Sequence, residues 1–100
     1  MNEHRQAALE RVKTMVLDAL GDADAAVILF GSCATGDADR ASDIDIALLP
    51  RRPLPRGLIG EITEMLEEST IPYEVDIVDL SRASPDFRAR VEAEGIWWRR

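Results

Sequence analysis

The stretch Leu29–Leu49, "LFGSCATGDADRASDIDIALL", decides the fold of this chain. An apolar run ends in Gly31-Ser32, ten mostly small or acidic residues follow, and a second apolar run starts through Asp43-Ile44-Asp45. Strand propensity would put Val or Thr at such a start, so two carboxylates two residues apart need another reason. A metal ion held between them is one reading, and a solvated strand edge is the other. On a strand, residues i and i+2 share a face with Cα atoms about 6–7 Å apart, close enough for both carboxylates to converge on one hard cation. Without a cation they repel, and each is driven toward protonation. Magnesium suits them, because it takes oxygen ligands and completes its shell with waters and substrate phosphates. Ile44, Ile46 and Leu48 then point the other way, into a core.

Gly31-Ser32 sharpens this reading. A Gly-Ser turn leaves backbone N–H groups open to phosphate oxygens and adds a hydroxyl donor. If the two flanking strands are antiparallel neighbours, the turn leaving one and the carboxylates starting the other lie at the same end of the sheet. A third carboxylate is available in "YEVDIVDL", where alternation puts Glu74 and Asp76 on one face and does not choose between them. Asp76 sits among Val75, Ile77 and Val78, where a buried carboxylate without a partner would be costly, so a metal or substrate hydroxyl explains it better. Glu74 reads as a solvent-side residue.

Outward from this stretch, Leu9, Val12, Met15, Val16, Ala19 and Leu20 recur by threes and fours, which predicts a helix over 5–20 that Gly21 stops. Residues 25–30, "AAVILF", predict a buried strand, and 44–49 a second one closed by Pro50. "PRRPLPRG" is a linker, after which Leu58, Ile59, Ile62, Met65 and Leu66 restore helical spacing to about Glu68. Residues 71–78 predict a third strand. Ser84-Pro85 predicts an N-cap and first helical residue, opening a helix that ends near Gly95, and "GIWWRR" predicts a fourth, edge strand. The order α-β-β-α-β-α-(β) predicts an α+β fold, a small mixed sheet of three to four strands covered by helices on one face.

One hundred residues, 46% hydrophobic and 31% charged, predict one globular domain over 1–100. No apolar run reaches the roughly 20 residues of a membrane helix, and the N-terminus lacks the apolar core of a signal peptide, so the expected address is the cytoplasm. The lone Cys33 reads as a small residue filling a turn, and neither it nor His4 has a neighbour at zinc-ligand spacing. A formal net charge of -7 argues against direct nucleic acid binding. "DADRASDID" from Asp37 superficially suggests a calcium loop, but Ser42 and Leu48 stand where the loop needs glycine and glutamate. The only lysine, Lys13, belongs to no phosphate-binding Gly-Lys loop.

"GSCATGDADRASDID" resembles the Gly-Ser, ten residues, Asp-x-Asp signature of the DNA polymerase beta superfamily of nucleotidyltransferases. With "YEVDIVDL" downstream, the chain looks like the minimal nucleotidyltransferase branch over nearly its whole length. The resemblance implies that Gly31 and Ser32 hold a nucleoside triphosphate, that Asp43 and Asp45 bind two magnesium ions, and that Asp76 joins the metal site and helps activate the attacking hydroxyl. Proteins similar to this branch are antitoxins paired with a HEPN-type ribonuclease toxin, and some attach AMP from ATP to a toxin tyrosine. The implied function is therefore AMP transfer to a partner protein, with two alternatives: a catalytically weak domain that neutralises its partner by binding alone, and transfer to a small molecule or RNA end. The three carboxylates in register favour the first over the second, and the absence of an accessory domain disfavours the third.

Trp97-Trp98 predicts an edge strand with one ring on the core and one outside, where it could anchor a partner. Arg51, Arg52 and Arg56 read as a solvated loop, and Tyr73 as a packing residue.

Overall fold

A computed structural model describes residues 3–31, 34 and 43–100. Ser32, Cys33 and Thr35, and the acidic run 37–42 with Ser42, lie outside the described residues.

Helix α1 (Glu3–Leu20) is followed by strands β1 (Ala25–Phe30) and β2 (Ile44–Pro50), helix α2 (Leu58–Glu67) and strand β3 (Val75–Asp79). A 3-10 turn (Leu80–Arg82), helix α3 (Pro85–Glu94) and strand β4 (Ile96–Arg99) complete the chain. The sheet order is β3-β2-β1-β4. β1 pairs antiparallel with both β2 and β4, while β2 and β3 run parallel, so the sheet is mixed as expected.

The apolar stripe of α1 explains its position. Leu9, Val12, Val16 and Leu20 are all buried, and they pack with Val27 and Leu29 of β1, with Ile44, Ile46 and Leu48 of β2, and with Ile62 and Leu66 of α2. Each fully buried aliphatic side chain contributes about 1.5–3 kcal/mol relative to exposure. Gly21, at φ 54, ends α1 in the left-handed region, where its N–H donates to Leu17 O at 3.0 Å. The Ser84 hydroxyl accepts from the Phe87 N–H at 3.3 Å and caps α3, with Pro85 at its first turn.

Helices cover both faces of the sheet, not one. Ala26, Ile28, Ala47 and Leu49 point away from α1 and α2 and form a second, smaller cluster with Leu80 and with Val91 of α3. The reason was visible in "AAVILF" and "IDIALLP", which are apolar at nearly every position, because a strand covered on both sides needs no polar face.

β3 begins at Val75 instead of Ile71. Pro72 has no N–H to donate to a ladder, and Tyr73 is turned under the guanidinium of Arg5, 4.6 Å from its ring centre. That pairing makes Arg5, only 2% exposed, part of the packing against the Tyr73 ring. β4 is an edge strand, as its sequence predicts, but neither tryptophan ring stands outside. Trp98 packs against the larger cluster and Trp97 against the smaller, with its indole N–H donating to Glu92 O at 3.1 Å. The exposed apolar residue of β4 is Ile96.

Candidate active site

The antiparallel register sets Phe30, the last residue of β1, opposite Asp45 of β2. The parallel register sets Asp45 beside Asp76 of β3. Directly paired residues share a face, so the side chains of Phe30, Asp45 and Asp76 form one row across three strands spaced about 4.8 Å apart. It lies on the α3 side of the sheet, where Ala47 and Leu49 continue the face of Asp45. Ile44, Ile46 and Leu48, all fully buried on the opposite face, fix which way Asp45 points, because a one-residue slip would put a carboxylate into the main core.

The glycine of the Gly-Ser turn has a structural reason of its own. Gly31 stands at φ 77, and a Cβ there would collide with Asp45 Oδ2 and lie 3.3 Å from its Cγ. Only glycine lets the backbone leave β1 against the carboxylate. The chain turns at once, with the Ala34 N–H donating to Gly31 O at 3.0 Å. Ser32, the other residue predicted to hold phosphate, lies outside the described residues.

Burial holds the Asp45 carboxyl above its ordinary pKa, and the charges of Asp76 and then Asp43 push in the same direction. Asp43 precedes β2 and is exposed, and the next residue ties the two strand starts together through the Ile44 N–H to Glu74 O at 2.8 Å. The predicted residues Asp43, Asp45, Asp76 and Gly31 are thus brought to one end of the sheet.

Asp76 arrives there for a different reason from the one the sequence suggested. It is exposed, because β3 is an edge strand, so no buried carboxylate asks for a partner. Its selection over Glu74 comes from register: Asp76 pairs with Asp45, whereas Glu74 falls before the strand begins.

Among the described residues, no three acidic, histidine or cysteine side chains are gathered as a ready-made metal cage. The fit to magnesium rests on the donor chemistry. Magnesium needs only one or two carboxylates, and a like-charged row in which Asp45 resists ionisation is the arrangement a divalent cation would relieve.

Sequence reasoning gave the last helix no part in this region. A groove of 260 Å³ opens beside Gly31, walled by Phe30, Phe87, Arg90 and Glu94. Phe30 and Phe87 meet edge to face at 5.7 Å between ring centres. The available signal was Phe87 with Val91, an i, i+4 apolar pair on an otherwise polar helix.

The chain is similar to known proteins in sequence and in fold. Residues 22–97 match the family described as polymerase beta nucleotidyltransferase. A curated Haemophilus influenzae protein, "Probable protein adenylyltransferase MntA", is 37% identical over 65 residues, which is 65% of this chain and 57% of that protein's length. Among solved structures, a toxin-antitoxin crystallised with AMP-PNP superposes with TM-score 0.67 at 31% identity, covering 86% of this chain and 71% of the other. A Shewanella oneidensis complex of a tri-AMPylated HEPN toxin with an MNT antitoxin gives TM-score 0.66 at 27% identity, covering 93% of this chain and 70% of the other. Among the described residues, no helix is long and apolar enough to cross a membrane.

Proposed function

The chain belongs to the polymerase beta nucleotidyltransferase family, and from that premise we propose that residues 1–100 form a minimal nucleotidyltransferase domain. It transfers AMP from ATP to a hydroxyl, a tyrosine by preference, on a HEPN-type toxin partner in the cytoplasm, and so acts as an antitoxin. The observation that carries the proposal is the register placing Asp45 beside Asp76 with Gly31 against the same carboxylate. The relatives described as adenylyltransferase and as antitoxin in complex with an AMPylated toxin support the choice of reaction and acceptor.

Asp43, Asp45 and Asp76 would hold magnesium, which when bound supplies positive charge against the triphosphate and lowers the pKa of the acceptor hydroxyl. The protein's own groups divide the remaining work. Gly31, with no side chain between it and Asp45, leaves its backbone beside that carboxylate for a phosphate to approach, and Ser32 is the second residue assigned to hold phosphate. Asp76, exposed at the sheet edge, is reachable by an acceptor hydroxyl and takes its proton. The acceptor oxygen then forms a bond to the α-phosphorus, the bond from that phosphorus to the β-phosphate bridging oxygen breaks, and pyrophosphate leaves.

Incubating the protein with α-labelled ATP, magnesium and the toxin encoded beside it tests this reading. The expected outcome is label on the toxin, traced by mass spectrometry to a tyrosine, and no label with Asp43→Ala. A tight complex that never acquires label would overturn transfer in favour of neutralisation by binding alone.

A further inference from the structure

Another cleft centres on the far end of β2, where Pro50 leads into the arginine-rich loop. It measures 830 Å³ and carries Arg51, Arg52, Arg56 and Arg82 on its walls, one third of the 12 basic residues of a chain whose formal net charge is -7. β2 runs from Asp45 to Pro50 at about 3.3 Å per residue, so the Pro50 end of this cleft lies roughly 16 Å from Asp45, while Ile77 carries its wall along β3 to the residue after Asp76, on the opposite face of the sheet.

Among the described residues, the arginines are only partly paired. Asp24 is shared between Arg51, at 3.3 Å, and Arg52, at 3.7 Å. Asp79 turns its Oδ1 onto the Ser81 N–H and hydroxyl, at 2.9 and 2.6 Å, and holds the 3-10 turn. Arg56 and Arg82 are exposed and have no ion pair among the described residues. Between these cations the wall is aliphatic: Leu54, Leu58 and Ile77 are half-buried, packed on the larger core from beneath.

We infer that this cleft is a docking site for an acidic, partly apolar peptide segment of a protein partner. Such a segment places carboxylates on Arg56 and Arg82 and apolar side chains on Leu54, Leu58 and Ile77. A nucleic acid strand fits less well. No aromatic side chain lines the cleft to stack a base, and the acidic remainder of the surface repels a longer polyanion. The proposal goes beyond the transfer reaction and does not depend on it.

The test is a fluorescence anisotropy titration of a labelled peptide of about ten residues, extended to some 33 Å and alternating glutamate with leucine. It contains neither nucleotide nor magnesium, so its outcome is independent of catalysis. The peptide binds the parent protein, binding weakens with added salt, and Arg56→Glu with Arg82→Glu weakens it at least tenfold. Arg56→Ala with Arg82→Ala produces a smaller loss, and melting curves show both variants folded. No binding, equal binding of a lysine-leucine peptide, affinity unchanged in both variants, or tighter binding of an oligouridine of the same length would each overturn the proposal.

Discussion

Strand β2 starts beside Asp76, with Gly31 pressed on Asp45, and finishes at Pro50 among arginines. At its first end, like charges are crowded onto one face, and burial, with the repulsion of Asp76 and Asp43, raises the pKa of Asp45. At its second end, charges of the other sign are exposed, and two of the arginines share a nearby carboxylate. The first arrangement is held together against its electrostatics by the aliphatic core on the opposite face. The second costs little to keep. A cluster that is unfavourable by itself, yet fixed by register, points to a ligand of opposite charge, while a solvated patch can wait for a partner without disturbing the fold.

The strongest way to break this comparison is to remove the carboxylates. Asp43→Ala or Asp45→Ala is expected to lower AMP transfer to below about 1% of the parent rate, because charge stabilisation of the transferred phosphate is lost. The melting temperature of the metal-free protein should not fall with Asp45→Ala, since a repelled carboxylate is removed and the aliphatic face stays intact. Full activity in either variant would remove the site assignment.

A glycine from each end sharpens the contrast. Gly31 and Gly57 have similar backbone conformations, φ 77 and φ 81, but a Cβ on Gly31 meets Asp45 whereas a Cβ on Gly57 meets nothing within 4 Å. Gly57→Ala should cost only the left-handed backbone term, about 1–2 kcal/mol in urea unfolding. Gly31→Ala should cost that and a further 1–3 kcal/mol, roughly, for the collision. Combining Gly31→Ala with Asp45→Ala tests the cause, because the excess over Gly57→Ala should largely disappear when the carboxylate is gone.

The pH dependence of stability gives a smaller effect. The folded protein holds the Asp45 proton more tightly than the unfolded chain, whose carboxyl titrates at the ordinary value near 3.8. Between that value and the raised one the folded state binds more protons, so this group adds stability as pH falls through the folded pKa and loses that contribution as pH rises. The metal-free parent should therefore gain melting temperature on acidification relative to Asp45→Asn, and magnesium at neutral pH should raise the parent more than the variant.

How much of this was readable beforehand follows from the range of the interactions. Asp43, Asp45 and Gly31 were legible because spacing along one chain segment places them, and the alternation of Ile44, Ile46 and Leu48 orients them. The capped start of α3 at Ser84 was legible for the same local reason. Asp76 was selected for a burial that the structure does not show, because sequence does not reveal that β3 is an edge; only pairing does. The second helical layer was missed although "AAVILF" is apolar on both faces, since strand composition reports that both sides are covered and not what covers them. Arg5 over Tyr73 joins residues 68 positions apart in sequence, and no local pattern marks such a pair.

The smallest expected effect lies at the arginine end and concerns Asp24. Its ion pairs with Arg51 and Arg52 are exposed, with side-chain exposures of 48% and 82% for the arginines and 46% for the aspartate. Exposed pairs contribute about 0.2–1 kcal/mol, and the backbone bond from the Arg51 N–H to Asp24 O, 2.8 Å, survives any change of side chain. Asp24→Asn should therefore shift the urea midpoint only slightly. It also removes the carboxylate that Arg51 and Arg52 share, while the bond from Arg51 to Arg100 O remains, so the glutamate-leucine peptide should bind the variant more tightly than the parent, most visibly at low salt. AMP transfer should be unchanged, because the substitution leaves the row from Gly31 to Asp76 as it was. A variant that weakened peptide binding would show Asp24 to be a necessary organiser of the arginines, and the cleft would then be a structural ion-pair network and not a vacant seat for acidic chains.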